Sequence, residues 1–188
     1  MKFVHYFVFS FLLSFLGQSQ DSRLIKLHMA KDISPYLMKG YSFRLGVSFH
    51  KKNTYEFSLE SFSMTIPTFI IEMNKNNTGE SWNERVVNNL ALYASRKLGQ
   101  KRSSFYIGVG AVYLNHEVSR GTEVMVHQFS QLEYMTRLHY KWYLFKNINL
   151  YLEPYIALAG RFKVSGCNAD YSLTPFLPIS SMYFAFEF

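Results

Sequence analysis

The chain has one cysteine in 188 residues, Cys167. No internal disulfide can form, so a scaffold stapled by bridges is excluded. Zinc-ligand spacing, a phosphate-cradling glycine loop and a calcium-loop pattern are all missing, and with them the chemistries that need those motifs. No repeat of fixed period and no low-complexity linker divides the chain. Beyond the first segment, no apolar run approaches the roughly 20 residues that a spanning helix requires. A membrane protein built from such a chain has to be a closed barrel, because only helices and barrels satisfy every backbone group in lipid.

Aromatic side chains are abundant: 18 Phe and 14 Tyr. The formal charge is +7. A basic balance suits nucleic acid, but an exported chain does not meet it, and no nucleic-acid partner is expected. Export is indicated by the first residues. Met1-Lys2 gives a positive start, Phe3 to Leu16 is mostly apolar, and Gly17-Gln18-Ser19 offers small residues where a signal peptidase cuts. We therefore expect a signal peptide over residues 1–19 and one mature domain over 20–188. A transmembrane anchor is the alternative reading, but the run is short for it.

Eight segments suit strands: Arg23–Ala30, Gly40–Phe49, Thr54–Thr65, Asn88–Lys97, Ser103–His116, Gln131–Leu144, Asn147–Val164 and Ser180–Phe188. In the second, Tyr41, Phe43, Leu45, Val47 and Phe49 share a face, opposite Ser42, Arg44, Gly46 and Ser48. In the sixth, Leu132, Tyr134, Leu138, Tyr140 and Trp142 oppose Glu133, Arg137, His139 and Lys141. Such alternation marks strands with two different environments. Aromatics on one face and ionisable groups on the other fit a lipid exterior and a polar lumen. A lipocalin-like soluble barrel, with its apolar face turned inward, satisfies the same pattern.

By parity the inward set includes Lys26, His28, Arg44, Glu56, Glu60, Glu133, Arg137, His139, Lys141, Glu153 and Glu187. Eight strands leave an interior just wide enough for side chains to fill. These charges are expected to pair with opposite charges on neighbouring strands and to plug the lumen. No metal or cofactor is expected. Two places disturb the pattern. Pro154 falls mid-strand, where it removes a ladder donor, so a bulge or irregular rim is expected. Phe62 and Met64 have the opposite parity to Tyr55, Phe57 and Leu59, and a bulge near Ser61 would restore the register.

The connections alternate in length. Short ones follow the second, fourth and sixth segments; the long ones are Lys31–Lys39, Ile66–Val87, Glu117–Ser130 and Ser165–Ile179. The final residues read Ser181-Met182-Tyr183-Phe184-Ala185-Phe186-Glu187-Phe188, with Met182, Phe184, Phe186 and Phe188 on one face. This ending resembles the closing strand of bacterial outer-membrane β-barrels. The whole assembly resembles the small eight-stranded barrels of the OmpA and OmpX type.

The resemblance implies an all-β fold: a closed, antiparallel, eight-stranded transmembrane barrel in the bacterial outer membrane. Outer-membrane lipid would surround it. Barrel assembly machinery would read Phe184, Phe186 and Phe188. It also implies short periplasmic turns, here carrying Lys51, Lys52, Lys97, Lys101, Arg102 and Lys146, and long external loops. Members of the family are structural proteins, adhesins, binding surfaces or lipid enzymes. The first expectation is a non-enzymatic barrel that meets an extracellular ligand or surface through its loops. The alternative is a lipid A deacylase or acyltransferase, for which His116, Glu117, Ser119, His127 and Ser130 supply suitable residue types near the third long loop.

Overall fold

The computed structural model describes residues 25–50, 53–121, 127–166 and 171–188. The expected signal peptide, Arg23, Lys51, Lys52 and Cys167 lie outside these residues. Eight strands form one closed antiparallel barrel: β1 (Ile25–Asp32), β2 (Tyr41–His50), β3 (Thr54–Ile66), β4 (Trp82–Lys97), β5 (Ser104–Arg120), β6 (His127–Tyr143), β7 (Leu150–Gly166) and β8 (Phe176–Glu187). Each pairs with its sequence neighbours, and β8 returns to β1 through His28↔Glu187 and Ala30↔Ala185. The Phe188 amide closes the seam by donating to the Leu27 carbonyl at 2.8 Å.

Period-two alternation decides which side chains face out. Leu92, Val109 and Ile156 are 58%, 59% and 61% exposed on the outer wall, where Leu45, Phe57, Leu59, Ile107 and Leu158 join them. Tyr55, Phe49 and Trp142 border this band toward the β2–β3 and β6–β7 turns. Arg44, Lys141 and Glu153 are at most 1% exposed on the inner face. An apolar outside around an ionic inside is the inverse of a lipocalin-like barrel and matches the transmembrane pattern.

The strands run longer than the sequence pattern indicated. β4 starts at Trp82 rather than Asn88, β5 reaches Arg120, and β6 starts at His127. A tilted 17-residue strand such as β5 rises roughly 44 Å at about 3.4 Å per residue, well above an apolar band of about 25 Å. The upper wall carries polar outward residues, among them Asn83, Arg85, Glu117, Ser119 and Gln128. Strand extension also spoils the strict alternation of connection lengths. The link 121–126 is no longer than 98–103 or 144–149, while 33–40, 67–81 and 167–175 remain the longer ones. Two short helices, α1 (Ile33–Leu37) and α2 (Thr68–Ile71), lie in the first two of these.

The bulge is on a different strand from the one expected. β2 and β3 stay in register through Ser61 and Phe62, whereas β4 slips against both β3 and β5 around Val87. The extra residue therefore belongs to β4. There the inward set changes from Trp82, Glu84 and Val86 to Asn89, Ala91 and Tyr93. Phe62 and Met64 keep the inward parity of Glu60 and line the interior. Asn89 bridges the gap: its Oδ1 accepts from the Phe62 amide at 2.9 Å, and its Nδ2 donates to the Phe62 carbonyl. Pro154 makes no bulge, but the β6–β7 ladder is irregular there, with no pair formed between His139↔Tyr155 and Trp142↔Leu152. The proline sits outward opposite Met182, and the β6–β7 register is the same at those two pairs on either side of it.

Candidate functional site: the barrel interior and its cavity

The inward residues form two polar layers. In the lower one, toward the short turns, Arg44 of β2 reaches across the lumen to Glu153 of β7 with two parallel bonds, at 2.9 and 2.6 Å. His139 adds its Nδ1 to Glu153 at 2.9 Å. Lys141 of β6 crosses to Glu56 of β3, which also accepts from Ser48 at 2.9 Å. Lys26 pairs with Glu187 at 3.1 Å, and His28 faces Ser48 at 3.5 Å. The Arg44 guanidinium lies 3.8 Å from the centre of the Tyr183 ring, and Lys141 lies over Tyr151 at 4.7 Å.

The principal pairs thus span the lumen, β2 to β7 and β3 to β6, as well as joining neighbouring strands. Buried ions at such depth persist only with good geometry, which a bidentate Arg–carboxylate fork supplies. Arg137 is handled differently. It has no carboxylate within ion-pair reach among the described residues; it stacks over Tyr93 at 4.2 Å and donates to Ser95 at 3.4 Å. Small residues make room for the rings. A Cβ on Gly46 would run into the His28 ring, and one on Gly110 into the Tyr93 ring.

The upper layer is built from residues that the parity set did not include, together with Glu133. Arg161 donates its Nε to Glu133 at 2.9 Å, and Gln131 donates to the same carboxylate at 2.8 Å. Glu84 lies 2.6 Å from His116 Nδ1 and accepts from the Tyr171 hydroxyl. His116 stacks flat on Phe129 at 4.6 Å.

Between the layers is a cavity of about 340 Å3. Its walls are apolar, with Phe62, Met64, Ile66, Leu114, Met135 and Leu177. Asp32, Glu60, Tyr155, Ser181 and Tyr183 bring polar groups to one side, and His116, Glu133 and Arg161 to another. Pro35 and Met38 around α1, with Phe69, Ile70 and Met73 around α2, line it from the connections at the long-loop end. The connection carrying α2 is latched to the residues that precede β8. Asn77 donates to the Ser172 carbonyl at 2.8 Å and accepts its amide at 3.0 Å, and Asn74 donates to the Leu173 carbonyl at 3.1 Å.

No protein-family model and no curated protein matches the chain by sequence. Solved structures match it in fold. A major outer membrane protein from Thermus thermophilus aligns with a TM-score of 0.54, at 14% identity, over 88% of this chain and 100% of that one. The fold is that of an outer-membrane β-barrel. Neisserial surface protein A aligns with a TM-score of 0.46, at 10% identity, over 87% of this chain and 96% of that one.

Among the residue types considered for acyl transfer, the barrel wall separates His116 from Glu117, Ser119 and Ser130, and His127 lies opposite Val118 at the start of β6. His116 is 1% exposed and faces the lumen. Glu117 and Ser130 face outward, where Gln128 donates to Glu117 at 3.3 Å and Ser130 to Asn115 at 2.7 Å. Ser119 lies opposite Asn83 on the outer wall. Neither nitrogen of His116 has a hydroxyl within hydrogen-bond reach, so His116 makes no nucleophile–base contact of the kind acyl transfer uses.

Proposed function

We propose that this protein is a sealed bacterial outer-membrane barrel that works as a binding surface at its long-loop end, rather than as a pore or an enzyme. The outer apolar band supports residence in lipid, with the short turns toward the periplasm and the long loops outside. The outward row of Phe184, Phe186 and Phe188 supports engagement by the barrel assembly machinery. The observation that carries the reading is the cross-lumen pairing of Arg44 with Glu153 and of Lys141 with Glu56, at side chains buried almost completely. A porin keeps a water-filled channel; here the lower lumen is occupied by ion pairs and tyrosines.

Planar-bilayer recording of the purified, refolded protein tests it. No stable porin-like conductance is expected. A steady large current from protein free of contaminating porins overturns the sealed-barrel reading. Expression without any mass change in lipid A is the companion expectation, and a shift abolished by His116→Ala would favour the enzyme instead.

A further inference from the structure

We propose that the cavity at the long-loop end binds a small cationic amphiphile, an alkyl- or arylalkyl-ammonium, with its nitrogen at Asp32 and Glu60 and its apolar part against the methionine-rich wall. The inference rests on the sealed-barrel reading only in taking this end of the lumen as a blind site.

The volume, about 340 Å3, falls at the lower end of small-molecule sites, which are mostly apolar with a few convergent polar groups. On the side opposite Arg161 the polar groups converge on two carboxyl groups. Asp32 Oδ2 accepts from the Tyr155 hydroxyl at 2.8 Å, and Glu60 Oε2 from the Tyr183 hydroxyl at 2.7 Å. The two tyrosine rings stack at 5.1 Å, which ties the carboxyl groups to one rigid unit. Ser181 and Ser42 complete their hydroxyl partners.

Neither carboxyl group forms an ion pair among the described residues, whereas Glu56, Glu84, Glu133, Glu153 and Glu187 each have a basic partner. Arg44 and Arg161 are committed to Glu153 and Glu133, and Arg137, the third guanidinium on this side of the lumen, stays over the Tyr93 ring and forms no ion pair with either carboxyl group. A buried carboxylate without a cation is costly, so the site is complementary to a positive charge it does not itself supply.

A second, independent feature points the same way. His116 lines the cavity and is 1% exposed; with Nδ1 at Glu84, its opposite nitrogen, Nε2, has no partner. An imidazole that donates through Nδ1 presents an acceptor at Nε2. An ammonium group, with three donors and no acceptor, fits the Asp32–Glu60 side, where a carboxylate or phosphate head does not, and the His116 acceptor lines the same cavity from the other side.

The mouth suits an amphiphile as well. Phe69 and Met73 line the cavity and are also 68% and 48% exposed, so an apolar lip leads from the surface inward. Met64, Met73 and Met135 give the wall a flexible surface that adapts to chain shape.

The test uses the barrel in zwitterionic phosphatidylcholine nanodiscs, with empty discs as the partitioning control, and titrates octylammonium, octanol and octanoate by calorimetry. Saturable 1:1 binding of octylammonium is expected, at least tenfold tighter than either control. Asp32→Asn with Glu60→Gln should weaken it at least tenfold and remove the preference over octanol. Met135→Trp, which fills the cavity and leaves both carboxyl groups, should abolish it in a barrel that still shows heat-modifiable migration. Equal affinity for all three probes, no saturable binding, or binding unaffected by Met135→Trp overturns the proposal. A sealed barrel that ignores octylammonium fails this inference alone; one that binds it but conducts fails only the sealed-lumen reading.

Discussion

At the residue scale, the lower lumen depends on charges that cannot tolerate losing a partner. Removing one member of a buried pair costs about 3–5 kcal/mol, while replacing both with apolar residues of similar volume is often nearly neutral. Arg44→Met leaves Glu153 with only His139, and Glu153→Leu leaves Arg44 against the Tyr183 ring without its carboxylate partner. Each single variant is expected to lose about 3–5 kcal/mol in urea unfolding from lipid vesicles, and the double variant clearly less than their sum. Additive losses would show that the two side chains act independently. This layer was legible in the sequence because parity alone turns Arg44, Glu56, His139, Lys141 and Glu153 inward. Which charge meets which was not, since Arg44–Glu153 and Lys141–Glu56 join strands remote in sequence. The upper layer was missed for several reasons. Glu84 lies in a stretch read as loop, Asp32 lies just past the predicted end of its strand, and Tyr171 lies between strands. His116 carried a usable signal: it has the same parity as Gly108 and Gly110, opposite the apolar face of Phe105, Ile107 and Val109.

At the scale of elements, the irregularity in β4 lets one strand serve two patterns. Below Val87 the inward residues are Asn89, Ala91, Tyr93 and Ser95; above it they are Trp82, Glu84 and Val86. A strict period-two reading stops at such a flip, which is why β4 was truncated at Asn88 in the sequence and the link before it was read too long. The same flip explains the misplaced bulge. Phe62 and Met64 read as out of phase with a lipid-facing set, yet they belong to the cavity wall, where apolar residues on the inner face have a use. Asn89 compensates for the lost ladder contact by bonding both polar groups of the Phe62 backbone. Asn89→Ala is therefore expected to destabilise the barrel by about 1–3 kcal/mol, the cost of leaving a buried polar group unpaired. Native-state hydrogen exchange should show the loss concentrated at Phe62 and its neighbours. Unchanged protection at Phe62 would mean that water replaces the asparagine without penalty.

At the scale of the whole molecule, the two ends of the barrel differ in what they offer to a membrane. The long-loop end carries a latched cap over a cavity. The short-turn end is basic, with Lys97, Lys101, Arg102 and Lys146 in or beside the turns. We expect its lysines to sit at the headgroup level of the inner leaflet, where a lysine near an anionic surface gains about 1 kcal/mol, beside the aromatic border of Phe49 and Trp142. Arg102 does not belong with them. Its guanidinium donates to the Ile148 carbonyl at 3.2 Å, to Asn149 Oδ1 at 2.8 Å and to the Lys146 carbonyl, and it lies 4.4 Å from the centre of the Tyr143 ring. It therefore joins the 98–103 turn to the 144–149 turn. Two kinds of variant should separate these roles. Lys97→Gln with Lys101→Gln and Lys146→Gln should leave stability in neutral vesicles unchanged but slow insertion into anionic ones, with the difference vanishing at high salt as screening shortens the field. Arg102→Gln should lower thermal stability in both kinds of vesicle alike, because it removes backbone contacts rather than a lipid contact. If the lysine variant inserts at the same rate into anionic and neutral bilayers as the parent does, the rim charges are ordinary solvated turn residues. If Arg102→Gln behaves like the lysine variant, the bonds between the two turns contribute nothing to holding that end of the barrel closed.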